Sequence, residues 1–301
     1  MTRTIGNPLS WIAGATLGAG HEAAEAYDGL RGEAGTPPEV RALGPQDIRR
    51  ALGKGLADFM ALRSDVLFLV AIYPVIGVVL ALLAFHAARI EMVFPLIGGF
   101  VLLGPVVATG LYEMSRRREA GEDVGWGAAF GVMRSRVIAP VLVLGAGLMA
   151  LFLAWLYAAH LIHALTLGPG TPATPAAFAR EVFTTGPGWT MIVLGMGVGA
   201  VFAALVLATS LVAFPMMVDR RAGVAVAVMT SLAVVRASPA AAAQWGLIVG
   251  VAMLLGALPA FLGLALVLPV LGHATWHLYR AAVPGAGDKR QGQPASASRA
   301  T

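Results

Sequence analysis

From Met92 to Tyr112 the chain carries no charged residue, and Glu113 and then Arg116, Arg117 and Arg118 follow at once. A helix rises about 1.5 Å per residue, so roughly 20 such residues cross a hydrocarbon core of about 30 Å. Positive charge collects on the cytoplasmic side, so the arginines mark where the span stops. Five other segments repeat this logic, and together they predict spans at about 66–85, 92–112, 137–165, 190–217, 240–258 and 259–279. The expected fold is therefore an all-α polytopic membrane protein, a six-span bundle carrying amphipathic helices on its cytoplasmic face.

Composition supports the same class. Of 301 residues 58% are hydrophobic and only 12% charged, whereas a soluble domain carries about 25% charged residues. The chain has no cysteine, which excludes disulfides, thiolate metal sites and cysteine nucleophiles. The net charge of +5 does not indicate nucleic acid, because the basic residues flank apolar runs and form no stripe.

Three regions follow. Residues 1–44 read as a flexible cytoplasmic tail, 45–283 as the membrane domain, and 284–301, rich in Gly, Pro, Ser and Ala, as a disordered cytoplasmic tail. Between Asp47 and Leu62 the residues Ile48, Leu52, Gly55, Phe59 and Leu62 fall at helical spacing, with Arg49, Arg50, Lys54 and Asp58 elsewhere on the wheel. That pattern predicts a basic amphipathic helix lying on the anionic leaflet. Two more such segments are expected at Glu122–Arg136 and Gly223–Arg236. In the longest connection Thr174-Pro175 predicts the start of a short helix ending near Thr184, with Gly186-Pro187-Gly188 as its stop.

Lysine and arginine set the orientation. The region to Arg63 holds seven, the connection after the second span five, that after the fourth span three, and the C-terminal end four. Only Arg89 and Arg180 fall on the other side, so 19 of 21 lie on one face. Arg116, Arg117, Arg118, Arg220 and Arg221 are the topology-setting residues, and both termini are expected in the cytoplasm of a bacterial inner membrane. An amphipathic segment, two spans and a basic stop recur from Asp47, Glu122 and Gly223, which predicts three parallel helix-plus-hairpin repeats.

The stretches FPLIGGFVLLGPVVATGLYEMSRR, LPVLGHATWHLYRAAV, TIGNPLSW and FPMMVDRRAGVAVAVMTSLAVVRASP carry a resemblance. The chain resembles a proteobacterial family of predicted six-span integral membrane proteins, catalogued as a domain of unknown function. Members are sometimes labelled as related to a cytochrome oxidase subunit. The resemblance implies no established activity, and it is the sole ground for a respiratory association.

Few residues invite chemistry. His273 and His277 share one face of the last span, and His160 and His163 one face of the third; two histidines at such spacing are candidate ligands for one metal ion. Span three enters from the cytoplasm near Val137, which places His160 roughly 35 Å along, while His273 and His277 lie near the cytoplasmic end of span six. A site built from both pairs is therefore not expected, and His273 and His277 alone remain the metal candidates. The competing reading makes HATWHLYR an interfacial band, with Trp276, Tyr279 and Arg280 at headgroup depth. Gly195 and Gly199, and Gly246 and Gly250, form small-xxx-small pairs expected to pack helices closely.

Asp65, Glu91, Glu113 and Asp219 sit at predicted span ends, with arginines beside Glu113 and Asp219 to neutralise them. No phosphate loop, nucleophile–base pair or zinc-protease motif appears. The expectation is a non-catalytic accessory or scaffolding protein, with lipid and other membrane-complex subunits as partners and no cofactor. The alternative is a carrier or channel for a small apolar or weakly polar solute. The orientation is directly testable because the chain lacks cysteine. Ser298→Cys should react with an impermeant maleimide only after the cells are opened, and Ala173→Cys should react in intact spheroplasts; the reverse pattern would invert the topology.

Overall fold

The computed structural model describes residues 35, 37–70, 75, 78–79, 82, 92, 95–96, 104–122, 124–125, 127, 131–132, 137–168, 170, 174–259 and 261–285. The helices are α1 Pro45–Val70, a single turn α2 Gly104–Val107, α3 Thr109–Glu119, α4 Ile138–Thr166, α5 Pro175–Thr184, α6 Gly186–Ser210, α7 Ala213–Arg220, α8 Val224–Ala237, α9 Pro239–Ala257 and α10 Leu264–Ala282. Among the described residues three helical stretches are long and apolar enough to cross a membrane: Ile138–Thr166, Gly186–Arg220 and Pro239–Ala257. Most of 71–103 and of 122–136, and hence most of the first predicted span, much of the second and most of the second amphipathic segment, lie outside the described residues, as do most of both predicted tails.

Local chemistry explains several boundaries. Thr174 caps α5: its extended backbone lets Oγ1 accept from Ala177 N at 3.2 Å, and Pro175 follows in the first turn. Thr185 does the same for α6, accepting from Gly188 N at 3.0 Å. The GPG triplet is thus the first turn of α6 and not a stop, since proline is tolerated where its missing N–H has no helical partner. A side chain on Gly188 would run into the Val182 carbonyl, so this junction of α5 and α6 requires glycine. α10 starts later than the predicted span at 259, because Phe261 has φ 66° and the Leu262 N–H donates to the Pro259 carbonyl in a turn.

Most of the buried core gathers where the arginines are, with Met253, Phe261 and Leu264 at the opposite turn. It takes the first half of α4 (Val141, Leu144, Leu148), the start of α9 (Ala241, Ala242, Trp245), the end of α6 and all of α7 through Val218, and the second half of α10. Starts of α4 and α9 therefore share a core with the ends of α6 and α10, as up-and-down threading requires. Away from this end α6 has 6% of its most apolar window buried, and Val193 and Met196 are exposed. Apolar surface drives helices together in water but not in lipid, so outward-facing apolar residues are ordinary there.

α1 departs from the expectation of a helix on the leaflet. Its stripe Ile48, Ala51, Gly55, Asp58, Phe59 and Leu62 is buried against the protein, and α10 is its main partner. The Arg41 N–H donates to the Ala282 carbonyl at 2.8 Å, while Phe59 and Leu62 cluster with Leu268, so the two helices run antiparallel. The Leu43 N–H donates to Ser238 Oγ at 2.7 Å, so the last residues of the segment read as a tail are docked on the core. The closest approach is at Gly55, where an added Cβ would lie 2.5 Å from the Ala274 backbone nitrogen. Gly272 also faces a neighbour, but there the obstacle is the Leu111 side chain, which has rotamers to spare.

The small-residue pairs divide. A Cβ added at Gly199 would lie 3.2 Å from the Trp155 ring and one at Gly246 3.0 Å from Leu207. Among the described residues nothing lies within 4 Å of a Cβ added at Gly195 or Gly250. Gly55→Ala should destabilise the detergent-solubilised protein by about 1–3 kcal/mol, the usual cost of overpacking. Gly250→Ala should leave the melting temperature unchanged, and equal melting of the two variants would refute the assigned contact.

Candidate functional site

Asp58 is a carboxylate on the buried stripe of α1, 6% exposed, and it is reached by three donors. His277 Nε2 lies 2.8 Å from its Oδ2, Ser115 Oγ lies 2.7 Å from the same oxygen, and Arg118 Nη1 lies 3.2 Å from Oδ1. Ser115 Oγ also lies 2.7 Å from His273 Nδ1. Three helices meet here: α1 brings Asp58, α3 brings Ser115 and Arg118, and α10 brings both histidines at i and i+4. Burial pushes the Asp58 carboxyl up, but the hydrogen bonds from His277 and Ser115 outweigh it, leaving it below the ordinary carboxylate range.

Proton positions follow from counting donors. An ionised carboxylate only accepts, so the single Ser115 hydroxyl proton goes to Asp58. His273 must then carry its proton on Nδ1 and donate it to Ser115 Oγ. Its Nε2 is left as a bare acceptor, and that atom is buried with no partner among the described residues. The order is His277–Asp58–Ser115–His273, in which the serine sits between the acid and a histidine. A hydrolase needs the histidine in the middle and an accessible hydroxyl, whereas Ser115 is 1% exposed. The arrangement is a buried hydrogen-bonded chain with one open proton acceptor at its end.

Around it the remaining charges are paired. Glu113 accepts from Arg116 Nε and Arg117 Nε, each at 2.7 Å. Burial raises the Glu113 carboxyl, and these two guanidinium hydrogen bonds pull it below its ordinary value. Glu119 accepts from Trp276 Nε1 at 2.9 Å and from Arg280 Nε at 3.2 Å. Tyr279 donates to Asp219 at 2.6 Å and accepts from Arg220 Nε at 3.1 Å, and Arg220 Nη2 donates to the Pro284 carbonyl at 2.9 Å. Arg221 ends α7 in the left-handed conformation, with φ 49°. Ser115, Asp219 and Glu119 thus tie the ends of α3 and α7 to α10.

This placement corrects the reading of HATWHLYR as an interfacial band. Trp276 is 1% exposed and Tyr279 and His273 are wholly buried, because α1, α3 and α7 cover them. His273 and His277 do share a face, but each has one ring nitrogen committed to the network. Among the described residues no group of three or more His, Cys, Asp or Glu side chains is placed to hold a metal ion. His163 lies at the far end of α4 beside Phe178, ring centroids 6.1 Å apart, away from the α10 pair. Asp58, Ser115 and Glu119 escaped the sequence reading. The signal for Asp58 was available: it stands at i+3 from Gly55 and i−4 from Leu62, on the buried stripe.

Charged side chains closed on one another at one end, and long apolar helices beyond it, define an integral membrane protein. Residues 93–219 match the model of a family described as predicted integral membrane protein (DUF2189). The matched stretch includes α2 through α6 and α7 up to Asp219, with Ser115 and Arg116 to Arg118, and leaves out α1 and α10, which supply Asp58 and the histidines. No curated protein and no solved structure matches the chain.

Asp58→Asn keeps the shape but removes the charge that three donors share, so it should cost about 2–3 kcal/mol. Ser115→Ala, which leaves the His273 Nδ1–H without an acceptor, should cost about 1–3 kcal/mol. The Asp58 carboxyl lies lower in the folded protein than in the unfolded chain, so its stabilising share is present above about pH 4 and lost as pH falls through the folded value. Thermal melts of wild type and Asp58→Asn should therefore converge in acid. A constant gap from pH 7 to pH 3 would refute the assignment.

Proposed function

We propose that the protein is a non-catalytic accessory or scaffolding component of a bacterial inner membrane, with both termini in the cytoplasm. One observation carries the reading. Asp58, Glu113, Glu119 and Asp219 are spent on internal partners, while α4, α6 and α9 turn apolar side chains outward. Such a molecule has a rigid polar lock at one end and broad apolar flanks for lipid or neighbouring membrane proteins. The excess of lysine and arginine on one face supports the orientation. A setting among respiratory complexes is supported by the sequence resemblance.

The rival is a carrier or channel for a small apolar or weakly polar solute, favoured by an apolar cavity between α4, α5 and α6. Purification from native membranes in mild detergent separates the two. Stoichiometric recovery of another integral membrane subunit, identified by mass spectrometry, is the expected result. Recovery of this chain alone, together with solute flux in liposomes, would overturn the accessory role.

A further inference from the structure

We infer that the cavity between α4, α5 and α6 is a binding site for a single-chain amphiphile, an apolar chain ending in one carboxyl or hydroxyl group. This stands apart from the accessory role. The cavity measures about 380 Å³, and its walls include Ile162, Phe178, Val182, Met191 and Met196. Its described lining has two side chains able to hydrogen-bond, Trp155 and His163. Trp155 Nε1 is spent on the Pro95 carbonyl at 3.0 Å. His163 is 5% exposed, and its Nε2 has no hydrogen-bond partner among the described residues.

A buried polar atom without a partner costs free energy that a ligand group recovers. One such atom in an otherwise apolar wall selects a molecule with one polar head and no other polar requirement. The depth ordering fits the same shape. His163 is in the last turn of α4, next to Phe178 of α5, whereas Trp155 lies roughly two turns deeper along the helix. Head at His163 and chain running past Trp155 toward Met196 is the orientation of a lipid chain entering from a membrane boundary. Gly195 lines the cavity, and among the described residues nothing lies within 4 Å of a Cβ added there, which leaves open width for the chain.

The test uses the full-length protein in membranes with a photoactivatable, alkyne-bearing palmitate. After irradiation the label should map to peptides spanning Trp155–His163 and Phe178–Met196. Excess palmitate or hexadecanol should displace it, and hexadecane should not. Gly195→Leu, which fills space that is open, should reduce labelling at least tenfold while the protein elutes unchanged on size exclusion. His163→Phe keeps the ring and removes the nitrogen, and should reduce labelling about tenfold. Palmitate alone displacing the label would assign a carboxyl head, and displacement by both compounds a hydroxyl-compatible one; either supports the site. Labelling spread along exposed faces of α4 and α9, equal competition by hexadecane, or full labelling of His163→Phe would overturn it.

Discussion

A carboxylate cannot be buried without donors, and Asp58 is the place where this protein meets that requirement. Its donors come from α3 and α10, so α1 can bury its charged stripe only when both other helices are in register. Gly55 allows the approach, since α1 and α10 touch backbone to backbone near Ala274. Ionic satisfaction and close packing therefore specify the same helix arrangement. In lipid, where apolar contact gives little preference between neighbours, such polar contacts choose the pairing.

The same reasoning accounts for the arginines. Positive residues at span ends orient a chain during insertion, but here they also have fixed structural partners. Arg116 and Arg117 hold Glu113, Arg118 holds Asp58, and Arg220 joins Tyr279 and the chain beyond α10. α3, α7 and α10, the ends of three predicted spans, converge on these pairs. At the other end α5 is capped by Thr174 and leaves an apolar cavity against α4 and α6. Among the described residues the charged pairs thus lie at one end, and the apolar cavity toward the other.

Sequence periodicity recovered α4, α5, α8 and α9 to within a residue or two, because their caps and apolar runs are local. It misjudged α1 because a helical wheel does not reveal which neighbour will cover which face. Leu52 and Phe59 drew the apolar stripe to one side, when the covered stripe also holds Ala51 and Asp58. It also read Trp276 and Tyr279 as membrane-interface residues, since amphipathic aromatics look alike whether they meet headgroups or buried carboxylates.

What the sequence determined by itself was the membrane class, the helical elements and the clustering of arginine at the ends of apolar runs. Those depend on the length of apolar runs, on capping residues and on counts, all of which are properties of short segments. Only the tertiary structure decided that Asp58, Ser115, His273 and His277 form one chain, and that His163, whose Nε2 has no hydrogen-bond partner among the described residues, lines an apolar cavity. Contacts such as Asp58 to His277 join residues far apart in the chain, and their pairing is set by which helices pack, not by any local spacing.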